Sequence, residues 1–264
     1  MRDLILGAVA YDPKVVTIWD GFRAWLGARG LPFDYVLFSN YEAQVEAHLA
    51  GVLDVAWNSP LAWVRASRAC AARGRRAEAV LMRDTDQDLT SVIVARADGP
   101  IASVDDLRGR AVGVGASDSP QATMIPLEHL AARGVSVTPR LHDVLVGKHG
   151  DHVGGERDAI RALVRGEVDA ACILDGNHAA FQRDGTVAPG ALRVIAQTDR
   201  YDHCNMTVID GGGPHAARFR ELLLSMSYDD PAARPLLDLE GLRVWRPGRT
   251  SGYALLERAI DRAS

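Results

Sequence analysis

The chain predicts an α/β fold whose largely parallel sheets carry helices on both faces. Three observations predict it. Strand-type and helix-type segments alternate almost throughout, which is the rhythm of βαβ units. Several short apolar runs stop at small polar turns, and two of these, Ser59-Pro60 and Ser119-Pro120, are built to start a helix. The length of 264 residues with 47% apolar and 24% charged side chains suits two domains of ordinary globular composition, or one large one.

The elements follow in order. Residues 4–9 are a strand. Residues 15–29 set Val15, Ile18, Phe22, Trp25 and Leu26 at helical spacing, and Gly30 stops that helix. Residues 33–38 alternate as a strand, and Ser39 with Glu42 forms a capping box for a helix to Leu49. A strand over 52–57 leads to Asn58-Ser59-Pro60 and the next helix, and 77–83 and 89–95 are strands. Ser103 and Asp106 form a second capping box before Gly109. The strand 111–114 runs into Gly115-Ala116-Ser117-Asp118-Ser119-Pro120-Gln121 and a helix to about 133. A strand at 136–141 precedes an irregular, Gly-rich stretch at 145–155. Helix 156–165, strand 168–174, helix 177–184, strands 192–197 and 206–209, and helices 215–226 and 253–262 complete the chain.

Composition excludes several functions. The net charge is −4, and no basic stripe interleaves with aromatics, so nucleic acid is not an expected partner. The three cysteines, Cys70, Cys172 and Cys204, are far apart and form no disulfide framework. No run of 18 apolar residues occurs, so no membrane span is expected. The run at 4–9 is too short for the apolar core of a leader and reads as a strand. The expectation is therefore a cytoplasmic protein, or a periplasmic one if a leader has been removed. The dinucleotide fingerprint, the Walker A loop, Gly-x-Ser-x-Gly and His-Glu-x-x-His are absent.

Two longer stretches carry more. SNYEAQVEAHLAGVLDVAWNSPLAWV resembles the N-terminal lobe of phosphate/phosphonate-type solute-binding proteins of ABC transporters. SVIVARADGPIASVDDLRGRAVGVGASDSPQATMIPLEHL resembles their second lobe, and ERDAIRALVRGEVDAACILDGNH continues it. The resemblance spans about residues 4–210. It implies a type 2 periplasmic-binding-protein fold: two Rossmann-like α/β lobes with mixed parallel sheets and a ligand cleft between them. Lobe one would be 1–85 plus 200–264, lobe two 90–197, with crossings near 85–90 and 197–205. A small-molecule ligand and an ABC permease are the implied partners.

Carried over residue by residue, the family's sites fit unevenly. Its Ser-Thr-Ser phosphonate grip falls on Ser119, Pro120 and Gln121, which removes two hydroxyls and one backbone N–H. A family His falls on Glu156, while the family acid at the next strand end is present as Asp175. Tyr41 and Trp63 fall on wall positions, and Asn58 and Ser59 on the first lobe's polar turn. Ser117 and Asp118 complete the candidate ligand-binding set. Asp118, Glu156 and Asp175 make that set acidic, and burying a phosphonate beside unpaired carboxylates costs several kcal/mol. An amine-bearing or zwitterionic ligand is expected instead, or a bound metal. Each residue also has a structural reading: Asp118 as a turn residue, Glu156 as a helix-start acid, Tyr41 and Trp63 as lobe packing.

The alternative is a cytoplasmic biosynthetic enzyme on the same fold. Its candidate catalytic residues are Asp175 or Glu156 as base, His203 or His152 as acid or metal ligand, and Cys204 as nucleophile. His149, His152 and His203 are candidate ligands of a transition metal, although their spacing matches no strong metal motif. Solvated loop histidines and a Cys204 packed as a small hydrophobe are the bland counterparts.

Overall fold

A computed structural model describes residues 2–143, 145–146, 149–150 and 152–263, with side chains left undescribed from 144 to 153. In chain order the elements begin with β1 (Leu4–Val9), α1 (Lys14–Gly27), β2 (Phe33–Phe38), α2 (Tyr41–Leu49), β3 (Val55–Asn58), α3 (Pro60–Ala71) and β4 (Ala77–Arg83). Then come β5 (Ser91–Arg96), β6 (Ala111–Val114), α4 (Ile125–Ala131), β7 (Thr138–Leu141), β8 (Leu145–Val146), β9 (His149–Gly150), α5 (His152–Arg165) and β10 (Ala170–Leu174). The chain closes with α6 (Asp175–Arg183), β11 (Leu192–Gln197), β12 (Asn205–Ile209), α7 (Ala216–Leu224), α8 (Arg234–Glu240), β13 (Trp245–Pro247) and α9 (Ala254–Ala263). Among the described residues, no helix is long and apolar enough to cross a membrane.

The chain divides into two compact units, 1–87 with 202–253, and 88–201 with 254–264. The last helix therefore belongs to the second unit, where the sequence reading grouped it with the first. Arg262 on α9 bonds Glu128 on α4, with Nη2 3.2 Å from Oε1.

The first unit holds a six-stranded sheet in the order β13-β4-β12-β3-β1-β2. β2 and β3 run parallel to β1, as βαβ connections require. β12 returns through a crossing segment rather than a packed helix, so nothing obliges it to be parallel, and it lies antiparallel to β3 and β4. β3 and β12 are buried along their length, the polar Asn58, Asn205 and Thr207 included. α1 packs Val15, Ile18, Trp19, Phe22, Trp25 and Leu26 inward. Phe22 and Trp57 both meet Trp245 edge-on, at centroid distances of 6.1 and 5.9 Å.

The second unit holds a five-stranded sheet in the order β11-β5-β10-β6-β7. β6 is parallel to β10 and β7, while β5 is antiparallel to β10 and β11. Two close approaches fix where its strand ends meet helices. A Cβ on Gly115 would lie 2.9 Å from that of Ala122, and one on Gly155 would lie 2.4 Å from the His142 carbonyl. Both positions need glycine for space, and Gly155 brings α5 against the 115–116 backbone. β8 and β9 pair antiparallel inside the stretch expected to be irregular.

Two caps follow the sequence, one shifts, and Ser103 does not cap a helix: its hydroxyl donates to Asp106 Oδ2 at 3.0 Å beside a short turn over Asp105–Leu107. Ser59 and Ser119 accept from the N–H groups of Ala62 and Ala122, both at 3.2 Å, with proline next in line. The first capping box moves one residue: extended backbone runs on to Asn40, whose Oδ1 accepts from Ala43 N at 2.9 Å. Glu42 pairs with Arg65 instead of reaching back. Asn40→Ala is therefore expected to cost about 1 kcal/mol. Ser39→Ala should stay within about 0.5 kcal/mol of wild type, as read from urea midpoints.

Candidate functional site

In the second unit, β6 ends at the turn 115–119, and a wide helical turn over Pro120–Met124 precedes α4. Wide π-type turns of this sort recur at functional sites. Ser119 spends its hydroxyl on the cap, and Thr123 donates to the Ala116 carbonyl at 2.8 Å. Ser117 donates to Asp143 at 3.2 Å, and Asp118 is half-buried beside it in the chain. Gln121 is buried, and its Oε1 has no hydrogen-bond partner.

Its backbone is pinned by a relay that the sequence reading missed. Ser91 Oγ donates to the Gln121 carbonyl and lies 2.7 Å from Tyr201 Oη. A carbonyl only accepts, so the Ser91 proton goes to Gln121 and Tyr201 must donate to Ser91. Burial pushes the Tyr201 phenol well up, and the carboxylates of Glu156 and Asp175 add to that, so its proton is retained.

The second turn lies where β10 enters α6. Glu156, on α5, is fully buried and accepts from Leu174 N and Asn177 Nδ2, both at 2.8 Å. Its carboxylate holds this turn in place. Asp175, the next residue, is exposed. Its backbone N–H donates to the Thr90 carbonyl at 3.0 Å. Its Oδ2 is only loosely engaged, 3.4 Å from Thr90 Oγ1 and 3.4 Å from Gln197 Nε2. The start of β5 thus ties both turns together, Thr90 to Asp175 and Ser91 to Gln121. A polar pocket there is lined by Asp88, Thr90, Asp175, Gln197, Thr198, Asp199 and Arg200. Three carboxylates face one guanidinium. Of these seven residues the sequence reading named Asp175; Thr90, Gln197 and Thr198 sit at crossings, where only a strand end marked them.

In the first unit, several expected ligand residues are engaged in structure. Asn58 Oδ1 accepts from Gln44 and its Nδ2 donates to Thr207 Oγ1, each at 2.8 Å. That buried network continues through Asn205 to the Tyr253 hydroxyl, at 2.8 Å. Ser59 is a cap, and Trp63 is buried with its ring 5.6 Å from that of Tyr253. Tyr41 heads α2, and burial raises its phenol well above the ordinary value.

His203 and Cys204 precede and open the edge of β12, and they do touch: Nδ1 lies 3.1 Å from Sγ. Alternation along a strand does not separate them, because His203 lies before the strand begins at Asn205. Asp86 joins them, with Oδ1 3.5 Å from His203 Nδ1 and 3.3 Å from Cys204 N. The activated-thiolate role is corrected. Burial and then the Asp86 carboxylate push the Cys204 thiol well up, and Arg83 only partly opposes them. A thiol held protonated is a poor nucleophile. The side chains of His149 and His152 lie outside the described residues. Among the described residues, the one grouping of three metal-type donors is Asp86, His203 and Cys204.

A family sequence profile described as "ABC transporter, phosphonate, periplasmic substrate-binding protein" matches residues 8–253. No curated protein matches the chain. Among solved structures, XAC2383 from Xanthomonas citri bound to ATP is similar at a TM-score of 0.73 and 17% identity, with 100% of each chain covered. PhnD1 from Prochlorococcus marinus (MIT 9301), in complex with methylphosphonate, follows at 0.69 and 17%, covering 99% of this chain and 98% of that one. The periplasmic aliphatic sulphonate binding protein SsuA from Escherichia coli matches at 0.56 and 18%, covering 99% and 83%. At such identities the likeness is one of fold. The profile describes periplasmic proteins, and nothing supports the cytoplasmic expectation or the enzyme alternative. The chain belongs to the phosphonate-type periplasmic substrate-binding proteins of ABC transporters and has their type 2 periplasmic-binding-protein fold.

Proposed function

We propose that this protein binds a small amine-bearing or zwitterionic molecule and presents it to an ABC permease. The observation that carries this reading is Asp175, an exposed carboxylate held only by two 3.4 Å contacts in a pocket of three acids and one arginine. An ammonium group would give that carboxylate a charge-assisted bond. The 115–121 turn supports the same choice. Anion capture needs donors, and here Pro120 lacks an N–H while Ser119 is spent as a cap. What the turn offers instead is an acceptor, the buried Gln121 Oε1 without a partner, which a ligand N–H would satisfy.

The test is calorimetric titration of the full chain with β-alanine, taurine, 2-aminoethylphosphonate and methylphosphonate. Binding by amine-bearing members but not by methylphosphonate is the expected result. Asp175→Asn should weaken that binding about 10- to 100-fold. Methylphosphonate binding that Asp175→Asn leaves intact or strengthens would overturn the reading.

A further inference from the structure

We propose that Asp86, His203 and Cys204 form a binding site for one borderline-soft divalent transition metal of the zinc or cobalt type. The three offer one oxygen, one nitrogen and one sulfur, and their ligand atoms all lie within 4.8 Å of one another. A tetrahedral ion with bonds of about 2.0–2.3 Å sets its ligands roughly 3.3–3.7 Å apart. His203 Nδ1 stands 3.5 Å from Asp86 Oδ1 and 3.1 Å from Cys204 Sγ, so small side-chain rotations admit an ion.

The donors are held in place before any ion arrives. The His203 backbone N–H donates to the Asp86 carbonyl at 2.8 Å, and Tyr253 Oη donates to the His203 carbonyl at 2.7 Å. Arg83 grips both oxygens of the Asp86 carboxylate, with Nη2 2.9 Å from Oδ1 and Nε 2.5 Å from Oδ2, so an ion would share Oδ1 with it. Outer partners of this kind orient metal ligands and raise site affinity. Arg83 also brings a positive charge, which opposes a cation. That charge is matched by Glu240, whose Oε1 lies 3.3 Å from Arg83 Nη1. Above about pH 7, where Glu240 is ionised, a dication with Cys204 as thiolate leaves the whole group neutral. Mixed sulfur, nitrogen and oxygen donation selects zinc- or cobalt-like ions over magnesium or calcium. Binding replaces the S–H bond with a metal–sulfur bond, and the thiol proton leaves to solvent. Three protein donors leave a fourth position for water.

The experiment uses the full chain without a polyhistidine tag, stripped with chelator and titrated with Co2+ alone. The expected result is a near-ultraviolet thiolate-to-cobalt charge-transfer absorption that saturates at one equivalent, which Zn2+ then abolishes. Cys204→Ser should remove the band. His203→Gln should weaken Co2+ binding by at least about 100-fold, more than loss of an outer partner does. Cys70→Ser should retain both. Absence of the band in the wild-type chain overturns the site, whatever the variants do. So does a band that survives Cys204→Ser. Neither failure touches the Asp175 reading, which rests on residues of the other unit.

Discussion

Arg83→Met should lower the stability of the first unit by about 3–5 kcal/mol, the cost of removing one partner from a buried ionic group. Arg83 is the shared cation of two buried acids. Its Nη2 lies 2.9 Å from Asp86 Oδ1 and its Nη1 3.3 Å from Glu240 Oε1, while the two carboxyl side chains are 2% and 3% exposed. It also donates to the Glu240 carbonyl at 2.9 Å and stacks over Trp57 at 5.1 Å. Burial pushes Asp86 up, but attraction to Arg83 and hydrogen bonds from His203 and Arg83 outweigh it and leave Asp86 below its ordinary value. Burial raises Glu240 from 4.5 to about 7 against the pull of Arg83. Glu240's contribution to stability is thus present below pH 4.5 and is lost as the pH rises through about 7. Without Arg83 both acids titrate higher, so protonation relieves the variant at low pH. The deficit should be larger at pH 8 than at pH 5. All five tryptophans lie in the first unit, so fluorescence-detected urea unfolding reads that unit directly. A deficit below 1 kcal/mol, or one that grows on acidification, would refute the shared-cation account.

The second large effect is acid sensitivity from His48. This residue ends α2, is 2% exposed, and neither ring nitrogen has a hydrogen-bond partner. Burial lowers its pKa from 6.5 to about 4; the nearby Asp54 backbone pulls the other way and Arg75 adds to the depression. A helix C-terminus ordinarily favours a charged histidine, but desolvation wins here. The folded state holds His48 neutral where the unfolded chain would protonate it. Its contribution is complete above pH 6.5 and is lost as the pH falls toward 4, about 3 kcal/mol in all. His48→Leu keeps the volume and removes the titration. The stability difference between variant and wild type should move in the variant's favour by that amount between pH 7 and pH 4. A difference that stays constant across this window would refute the assignment.

Local pattern carried much of this protein. Ser59-Pro60 and Ser119-Pro120 announce helix starts because a cap and its proline act within four residues. Most of the strand and helix order of both units was legible for the same reason, although α8, β8 and β9 were not. β13 was not: three residues, Trp245-Arg246-Pro247, form a strand only because β4 is there to pair with them. α9 was legible as a helix but not as part of the second unit, since an apolar stripe does not say which core it covers.

The candidate sites divide along the same line. Asp175 at a strand end, after an apolar run, could be picked from the chain. Thr90, Gln197 and the Tyr201–Ser91–Gln121 relay could not, because their partners lie 30 to 110 residues apart. Asn58 looked the same in sequence whether it faced a ligand or the interior. Thr207, 149 residues away, decides that it faces the interior. His203 and Cys204 were visible as neighbours, yet only folding brings Asp86 to them.

What the chain alone established is therefore what short-range forces establish: the α/β class, most of the element order, the Ser59 and Ser119 caps, and the family. The tertiary structure decided the antiparallel course of β12 and β5, the unit that owns α9, and which polar side chains are spent on structure. Those outcomes depend on pairings between distant segments, and no local pattern encodes the partner of a hydrogen bond or the burial of a charge.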